Sequence, residues 1–342
     1  MAYTTINKHT DYFNTVTYTG NGATTQTITG VGFQPDWVWL KNRSTTNNHN
    51  TFDVVRGQSK RLKPNTDEAE VDIGADFTFQ SDGFYVGNRG DTNGSGNSQV
   101  AWNWKAGTSS GISGGTIYPS AYSINTTSGF GIYKYTGTNS AGTIAHGLGA
   151  VPRWIIVKPI DSTGNWIVYH ASMGNNKSIP LNTASANYTS VNWDSTTPTT
   201  SLFNLRAGGD VNASGVNYIA YAFAEKKGYS KFGKYTGNGN DSGTFVYTGF
   251  KPAWIMAKGM NTSDNWTLWD SKRGLINVVK PMLRADATNV ESNSGTYQVD
   301  ILSNGFKWRS NDSKINQDGT DYIYMAFGQS LVGSNDTPCT AR

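Results

Sequence analysis

One spacing pattern, present three times, constrains this chain more than any other feature. Tyr18-Thr19-Gly20 recurs as Tyr135-Thr136-Gly137 and as Tyr235-Thr236-Gly237. In each copy a Trp stands 19 positions after that Tyr (Trp37, Trp154, Trp254), a Pro two positions before the Trp (Pro35, Pro152, Pro252) and a Lys four after it (Lys41, Lys158, Lys258). The register holds without insertion to an aromatic 15 positions beyond the Trp (Phe52, Tyr169, Trp269) and ends at Gly57, Gly174 and Gly274. So many coincident spacings mark a triplicated unit, and a repeat of this kind dictates the architecture before any local propensity is considered.

The second half of each unit is looser. Ser81-Asp82-Gly83-Phe84 is answered by Ser303-Asn304-Gly305-Phe306, and more faintly by Ser201-Leu202-Phe203. Each unit then closes on a turn block and an apolar run: Asn93-Gly94-Ser95-Gly96 before Val100-Ala101-Trp102-Asn103-Trp104, Asn212-Ala213-Ser214-Gly215 before Ile219-Ala220-Tyr221-Ala222-Phe223, and Asn316-Gln317-Asp318-Gly319 before Ile323-Tyr324-Met325-Ala326-Phe327. A turn signal followed by a short apolar run reads as hairpin and strand. The run after each Pro, such as Trp37-Val38-Trp39-Leu40, is apolar at every position and predicts an inner strand covered on both faces, by an extra layer or a domain contact.

Composition supports strands over helices. Of 342 residues only 15% are charged, 39 are Gly, and no run of helix formers keeps a 3.6-residue period. The 11 Trp, 18 Tyr and 14 Phe supply ample core. The predicted fold class is all-β: three tandem, diverged β-sandwich or jelly-roll-like domains. The boundaries read as an N-terminal attachment segment 1–14, repeat 1 over 15–107, a linker 108–128 with its most flexible composition over 107–116, repeat 2 over 129–227, repeat 3 over 228–331 and a C-terminal tail 332–342.

The same residues argue against most chemistries. A net charge of +4 is thinly spread, with Lys60, Arg61 and Lys63 the one tight basic group, which reads as a solvated loop and not as a nucleic-acid stripe. Cys339 is the sole cysteine, so no intrachain disulfide forms. No stretch approaches a membrane span, and the N-terminus lacks the apolar core of a secretory signal, so synthesis and folding in a cytoplasm are expected.

Asp53 with Arg56 and Asp270 with Arg273 share a D-x-x-R-G pattern that the middle copy replaces with His170 and Met173, which reads as a structural ion pair or turn contact. The four histidines, His9, His49, His146 and His170, lack metal-ligand spacing and read as loop or surface residues. Asp91-Thr92-Asn93-Gly94-Ser95-Gly96 and Asp210-Val211-Asn212-Ala213-Ser214-Gly215 open like calcium loops, but the twelfth position is Trp102 or Tyr221, so hairpin turns are expected. No catalytic, cofactor-binding or metal-binding residue is singled out. Trp193 and Trp308, which lack an aromatic counterpart in at least one other copy and lie beside polar residues, are the candidates for a receptor or protein contact surface.

The string Asp11-Tyr12-Phe13-Asn14-Thr15-Val16-Thr17-Tyr18-Thr19-Gly20-Asn21-Gly22, then Gly32-Phe33-Gln34-Pro35-Asp36-Trp37-Val38-Trp39, Val54-Val55-Arg56-Gly57, Ser81-Asp82-Gly83-Phe84 and residues 100–107, resembles a family of repeat-containing virion structural proteins of marine tailed phages, including those of cyanobacteria. The resemblance is close over 11–107 and fades in the later copies. It implies a virion component exposed on the particle, of tail-fibre type, and carries no catalytic residues. On that basis the expected function is a non-enzymatic virion protein of tail-fibre or receptor-binding type, with capsid decoration as the alternative and glycan degradation as a third reading hinted at by Asp194 beside Trp193. The expected partners are other virion proteins, a host surface glycan or receptor, and further copies of the chain in a homo-trimer.

Overall fold

The computed structural model describes residues 4–329. They form an all-β structure of antiparallel sheets, and the longest helix among them is the four-residue turn Gly90–Asn93. The same strand order recurs three times. An inner sheet places a closing strand between a first strand and the post-proline strand, and a short fourth strand follows. In unit 1 these are Phe13–Thr19, Ser98–Trp104, Trp37–Asn42 and Asn50–Asp53. Unit 2 repeats the order with Phe130–Thr136, Asn217–Ala224, Pro152–Pro159 and Ile167–His170, and unit 3 with Ser230–Thr236, Asp321–Gly328, Pro252–Gly259 and Thr267–Asp270.

A smaller outer sheet covers one face of each inner sheet: Gln26–Ile28, Gly83–Val86 and Phe77–Gln80 in unit 1, Gly142–Ala145 and Leu202–Leu205 in unit 2, Phe245–Tyr247, Gly305–Trp308 and Val299–Leu302 in unit 3. Each unit is therefore a two-layer β-sandwich.

The inner sheet is apolar on both faces because it has two covers. Alternation along the post-proline strand sends Val38 and Leu40 to the inter-sheet core of unit 1, and Trp37 and Trp39 to the opposite side. Ile155 and Val157, then Ile255 and Ala257, repeat the first set, while Trp154 and Ile156, then Trp254 and Met256, repeat the second. The second set from all three units meets in one central core. Aromatic contacts cross every boundary there: Trp37 stacks on Tyr221 at 4.5 Å, Phe13 on Phe327 at 5.0 Å, and Trp154 meets Trp266 edge-on at 5.8 Å. The three sandwiches are thus lobes of one body that share a core, which a string of self-sufficient domains would not do.

The repeated motifs explain themselves locally. The Tyr hydroxyl of each Tyr-Thr-Gly donates to the carbonyl just before the recurring Asn: Tyr18 to Thr92 at 2.7 Å, Tyr135 to Val211 at 2.6 Å, Tyr235 to Ile315 at 2.8 Å. That Asn (Asn93, Asn212, Asn316) accepts through Oδ1 from the backbone N–H just after the Gly. A Cβ on Gly20, Gly137 or Gly237 would come within 2.1–2.3 Å of a backbone carbonyl oxygen of the turn block, so only glycine fits.

The boundaries between units are held by contacts that run in one cyclic direction, unit 1 onto 3, unit 2 onto 1, unit 3 onto 2. Each recurring Lys buries its ammonium against carbonyls of its own loop and one carbonyl of the neighbouring unit: Lys41 to Thr288 at 3.2 Å, Lys158 to Asp67 at 3.3 Å, Lys258 to Ala184 at 3.1 Å. Burial lowers each of these amines to about 8, a cost that the carbonyl cages offset. A ring nitrogen 12 positions after the Trp bonds the neighbouring unit in the same cycle, His49 Nε2 with Arg284, Trp166 Nε1 with Lys63, Trp266 Nε1 with Pro180. A third set pairs the carbonyls of Arg43, Ile160 and Met260 with the N–H groups of Glu291, Glu70 and Asn187. Three recurring kinds of contact at each boundary, each closing on the next unit, make a ring within one chain.

One expectation changes here. All four histidines are buried, because His49 occupies the aromatic position held by Trp166 and Trp266 and because His9 packs edge-on against Tyr229 at 5.3 Å. From residue 4 onward the N-terminal stretch is part of the fold: Ile6, His9 and Phe13 are buried, with His9 against Tyr229 and Phe13 against Phe327 where units 1 and 3 meet. The tail 332–342 and Cys339 lie outside the described residues.

Replacing Lys258 with Met keeps the stem and removes the ammonium, leaving buried carbonyls without a donor. Chemical denaturation is expected to show a loss of about 2–4 kcal/mol, and a change below 0.5 kcal/mol would contradict the role given to the cage. A pH-dependent test lies nearby. Asp286 accepts the N–H of Trp266 at 3.2 Å, where units 1 and 2 carry Asn65 and Asn182, and burial raises its carboxyl to about 6. The folded form therefore binds the proton more tightly than the unfolded chain, so its contribution is present at pH 4 and lost as pH rises through 6. Asp286→Asn is expected to raise the melting temperature at pH 7.5, by the equivalent of about 1–3 kcal/mol, and to give no gain at pH 4.

Candidate functional site

Residues that recur between units are occupied by the fold. The Asp–Arg pairs are buried ion pairs, Asp53–Arg56 at 2.5 Å and Asp270–Arg273 at 2.6 Å, extended by Glu70 and Glu291. Each aspartate also takes a donor from another unit, Tyr221 Oη to Asp53 at 2.7 Å and Trp102 Nε1 to Asp270 at 3.0 Å. At the corresponding repeat positions of the third boundary stand Met325 and His170, both buried. The basic group is likewise neutralised, Lys60 by Asp72, Arg61 by Asp91 and Lys63 by Glu68. The pair with Arg61 also accounts for Asp91, at the head of the calcium-like loop.

Trp193 and Trp308, the expected contact residues, are not on the surface. Trp193 is 1% exposed and donates to Lys177 and Ser178, both at 3.1 Å, while Trp308 is 0% exposed and packs on Trp269 at 4.9 Å. Their polar sequence neighbours face outward on alternate positions, as strand and turn geometry allows, and the indoles fill inter-sheet cores. Asp194 pairs with Arg206 at 3.4 Å. All 11 Trp are in fact buried, so any aromatic recognition surface must be built from Phe and Tyr.

Such a surface exists on the outer sheet of unit 3. Cross-strand register aligns Phe245 with Lys307 and Asp300 in one row, and Tyr247 with Gly305 and Leu302 in the next. Val246, Phe306, Trp308, Val299 and Ile301 point the other way into the core. Phe245 is 44% and Tyr247 60% exposed. At the matching positions units 1 and 2 carry Thr27 with Thr29 and Thr143 with Ala145. Gly305 shapes the platform: its missing Cβ would sit 2.1 Å from the Val246 carbonyl and 3.1 Å from the Phe245 ring, so the ring lies down against the sheet. Tyr118 and Tyr188 are also exposed.

Polar groups border the aromatic pair. Lys307 Nζ donates to the Ser242 hydroxyl at 3.1 Å, and Arg309 pairs with Asp300 at 3.5 Å. Beyond Arg309 a polar cleft of about 490 Å³ is lined by Asp241, Thr296, Gln298, Arg309, Ser310 and Asn311. An apolar face beside convergent donors and acceptors suits a ligand that is apolar on one side and polar at its rim. A second, more apolar cavity of about 260 Å³ lies at the boundary of units 3 and 1, between Phe13, Ala253, Leu275 and Gly328. It marks where the ring closes without a peptide connection.

The fold defines the class: a three-lobed β-sandwich ring, closed within one chain, with divergent outer faces. The chain belongs to the DUF7483 family, described as a domain of unknown function, whose family model matches residues 8–330. One family model thus covers all three lobes, in keeping with a ring that folds as a whole. No curated protein and no solved structure matches the chain.

Because both aromatic rings are exposed and touch the fold on one side only, replacing them with the residues of unit 1, Phe245→Thr with Tyr247→Thr, is expected to shift stability by no more than about 1 kcal/mol. Thermal melting of the double variant checks this, and a large loss would make the pair structural.

Proposed function

We propose that this protein is a non-enzymatic structural component of a phage virion, exposed on the particle and of tail-fibre or receptor-binding type, with the outer sheet of unit 3 as its recognition face. The observation that carries the reading is the exposed pair Phe245 and Tyr247 on a lobe whose two siblings carry Thr and Ala there. A shared scaffold with one specialised outer face is what selection for binding produces, since seam and core residues are fixed by packing while outer positions are free to vary. The resemblance of residues 11–107 to marine phage virion proteins supports the same reading. The ligand class that fits an aromatic platform beside a polar cleft is a saccharide of the host surface.

A second reading, capsid decoration, is favoured by the cyclic arrangement of three lobes, which matches a threefold position on a head lattice. The ring also covers the inner sheets without further copies of the chain, so trimerisation is not needed to complete the fold.

Particles carrying the Phe245→Thr, Tyr247→Thr double variant are expected to incorporate the protein normally and to adsorb to host cells at least 10-fold more slowly. Adsorption at the wild-type rate would contradict the recognition role. A high copy number spread over the head would favour decoration.

A further inference from the structure

We propose that the saccharide taken by the outer face of unit 3 is acidic, its negative group held by Lys307; the inference rests on the recognition role given to that face.

Lys307 is the cation at the centre of the platform, directly across from Phe245 and one strand from Asp300. Asp300 is engaged by Arg309 at 3.5 Å. The Lys307 ammonium has a single hydroxyl partner, Ser242. Among the described residues no carboxylate lies within ion-pair distance of it, although Asp241 is adjacent to Ser242 in sequence. Lys60, Lys63, Lys231 and Lys234 each reach a carboxylate, whereas among the described residues Lys307, like Lys134 and Lys177, does not. An exposed ammonium in a row between an aromatic ring and an already paired carboxylate has spare capacity for one anion.

The spacing fits a sugar. The Phe245 ring lies over Gly305, two positions from Lys307 on the same face of that strand, so a sugar stacked on it directs an edge substituent toward Lys307. Tyr247 offers a second aromatic face two positions along the same strand, across from Gly305, over which the Phe245 ring lies. Asp241, Gln298 and Asn311 in the adjoining cleft can accept from or donate to ring hydroxyls further along the chain of sugars. Carboxylated sugars and sugars bearing a sulfate or phosphate ester share the required anion on a ring edge.

The test is titration calorimetry of the full chain with tetragalacturonate, its methyl ester, a sulfated disaccharide and a phosphorylated disaccharide. At least one acidic probe is expected to bind, tetragalacturonate at least 10-fold tighter than its ester if the anion is a carboxylate. Lys307→Gln is expected to erase the preference for the acidic probe, and raised salt to weaken it. The Thr double variant at Phe245 and Tyr247 is expected to abolish binding of every probe, with melting curves confirming that both variants are folded. Equal binding of acid and ester that still depends on the aromatic pair would overturn the acidic assignment and leave the recognition face standing. Binding that ignores the aromatic pair would overturn the face itself, and failure of all acidic probes to bind would overturn the assignment made here.

Discussion

Each inner sheet is apolar on both faces, and one small outer sheet can cover only one of them. The remaining face carries Trp37 and Trp39 in unit 1, with Trp102 and Trp104 from the closing strand. Burying a side chain of that size contributes about 1.5–3 kcal/mol, so leaving four of them in water would forfeit an amount comparable to a domain's whole margin of stability. Three such sheets facing one another solve the problem at once. The seam lysines, ring N–H donors and paired backbone groups follow from that choice, because bringing three sheets together buries loop carbonyls that must find donors.

Much of this was legible in the sequence, and for a physical reason. The Tyr, Gly and Asn of the repeat interlock through one short hydrogen-bond path, so their spacing cannot drift without loss of the turn. The prediction of a strand covered on both faces held for Trp37–Asn42, where every position is buried. The triplicate Lys41, Lys158 and Lys258 were visible as a pattern, but their task depends on carbonyls far away in sequence, as Lys41 and Thr288 illustrate. His49 could have been recognised as a seam residue from its alignment with Trp166 and Trp266, 12 positions after each repeat Trp.

The surface was harder to read. Trp193 and Trp308 looked exposed because they lack counterparts and have polar neighbours, yet absence of a counterpart reflects divergence of a lobe's interior as readily as of its surface. Trp308 fills the inter-sheet core of unit 3 beside Trp269, and Trp193 does so beside Tyr169 in unit 2. Phe245 and Tyr247 carried the opposite signal. They alternate with buried Val246 on a three-residue strand, too short for a periodicity to declare itself, and only the cross-strand register shows that they share a face with Lys307. A scaffold of this kind separates two demands: the ring fixes inner positions, and outer sheets are left to specialise one lobe at a time.

The central claim is that the three lobes fold as one body around a shared core. Differential scanning calorimetry of the intact chain tests it most directly. A single transition whose calorimetric enthalpy equals its van't Hoff enthalpy is the result this account requires. Two or three resolved transitions, or a calorimetric enthalpy two- to threefold above the van't Hoff value, would mean that the lobes unfold independently and that the shared core does not hold them together.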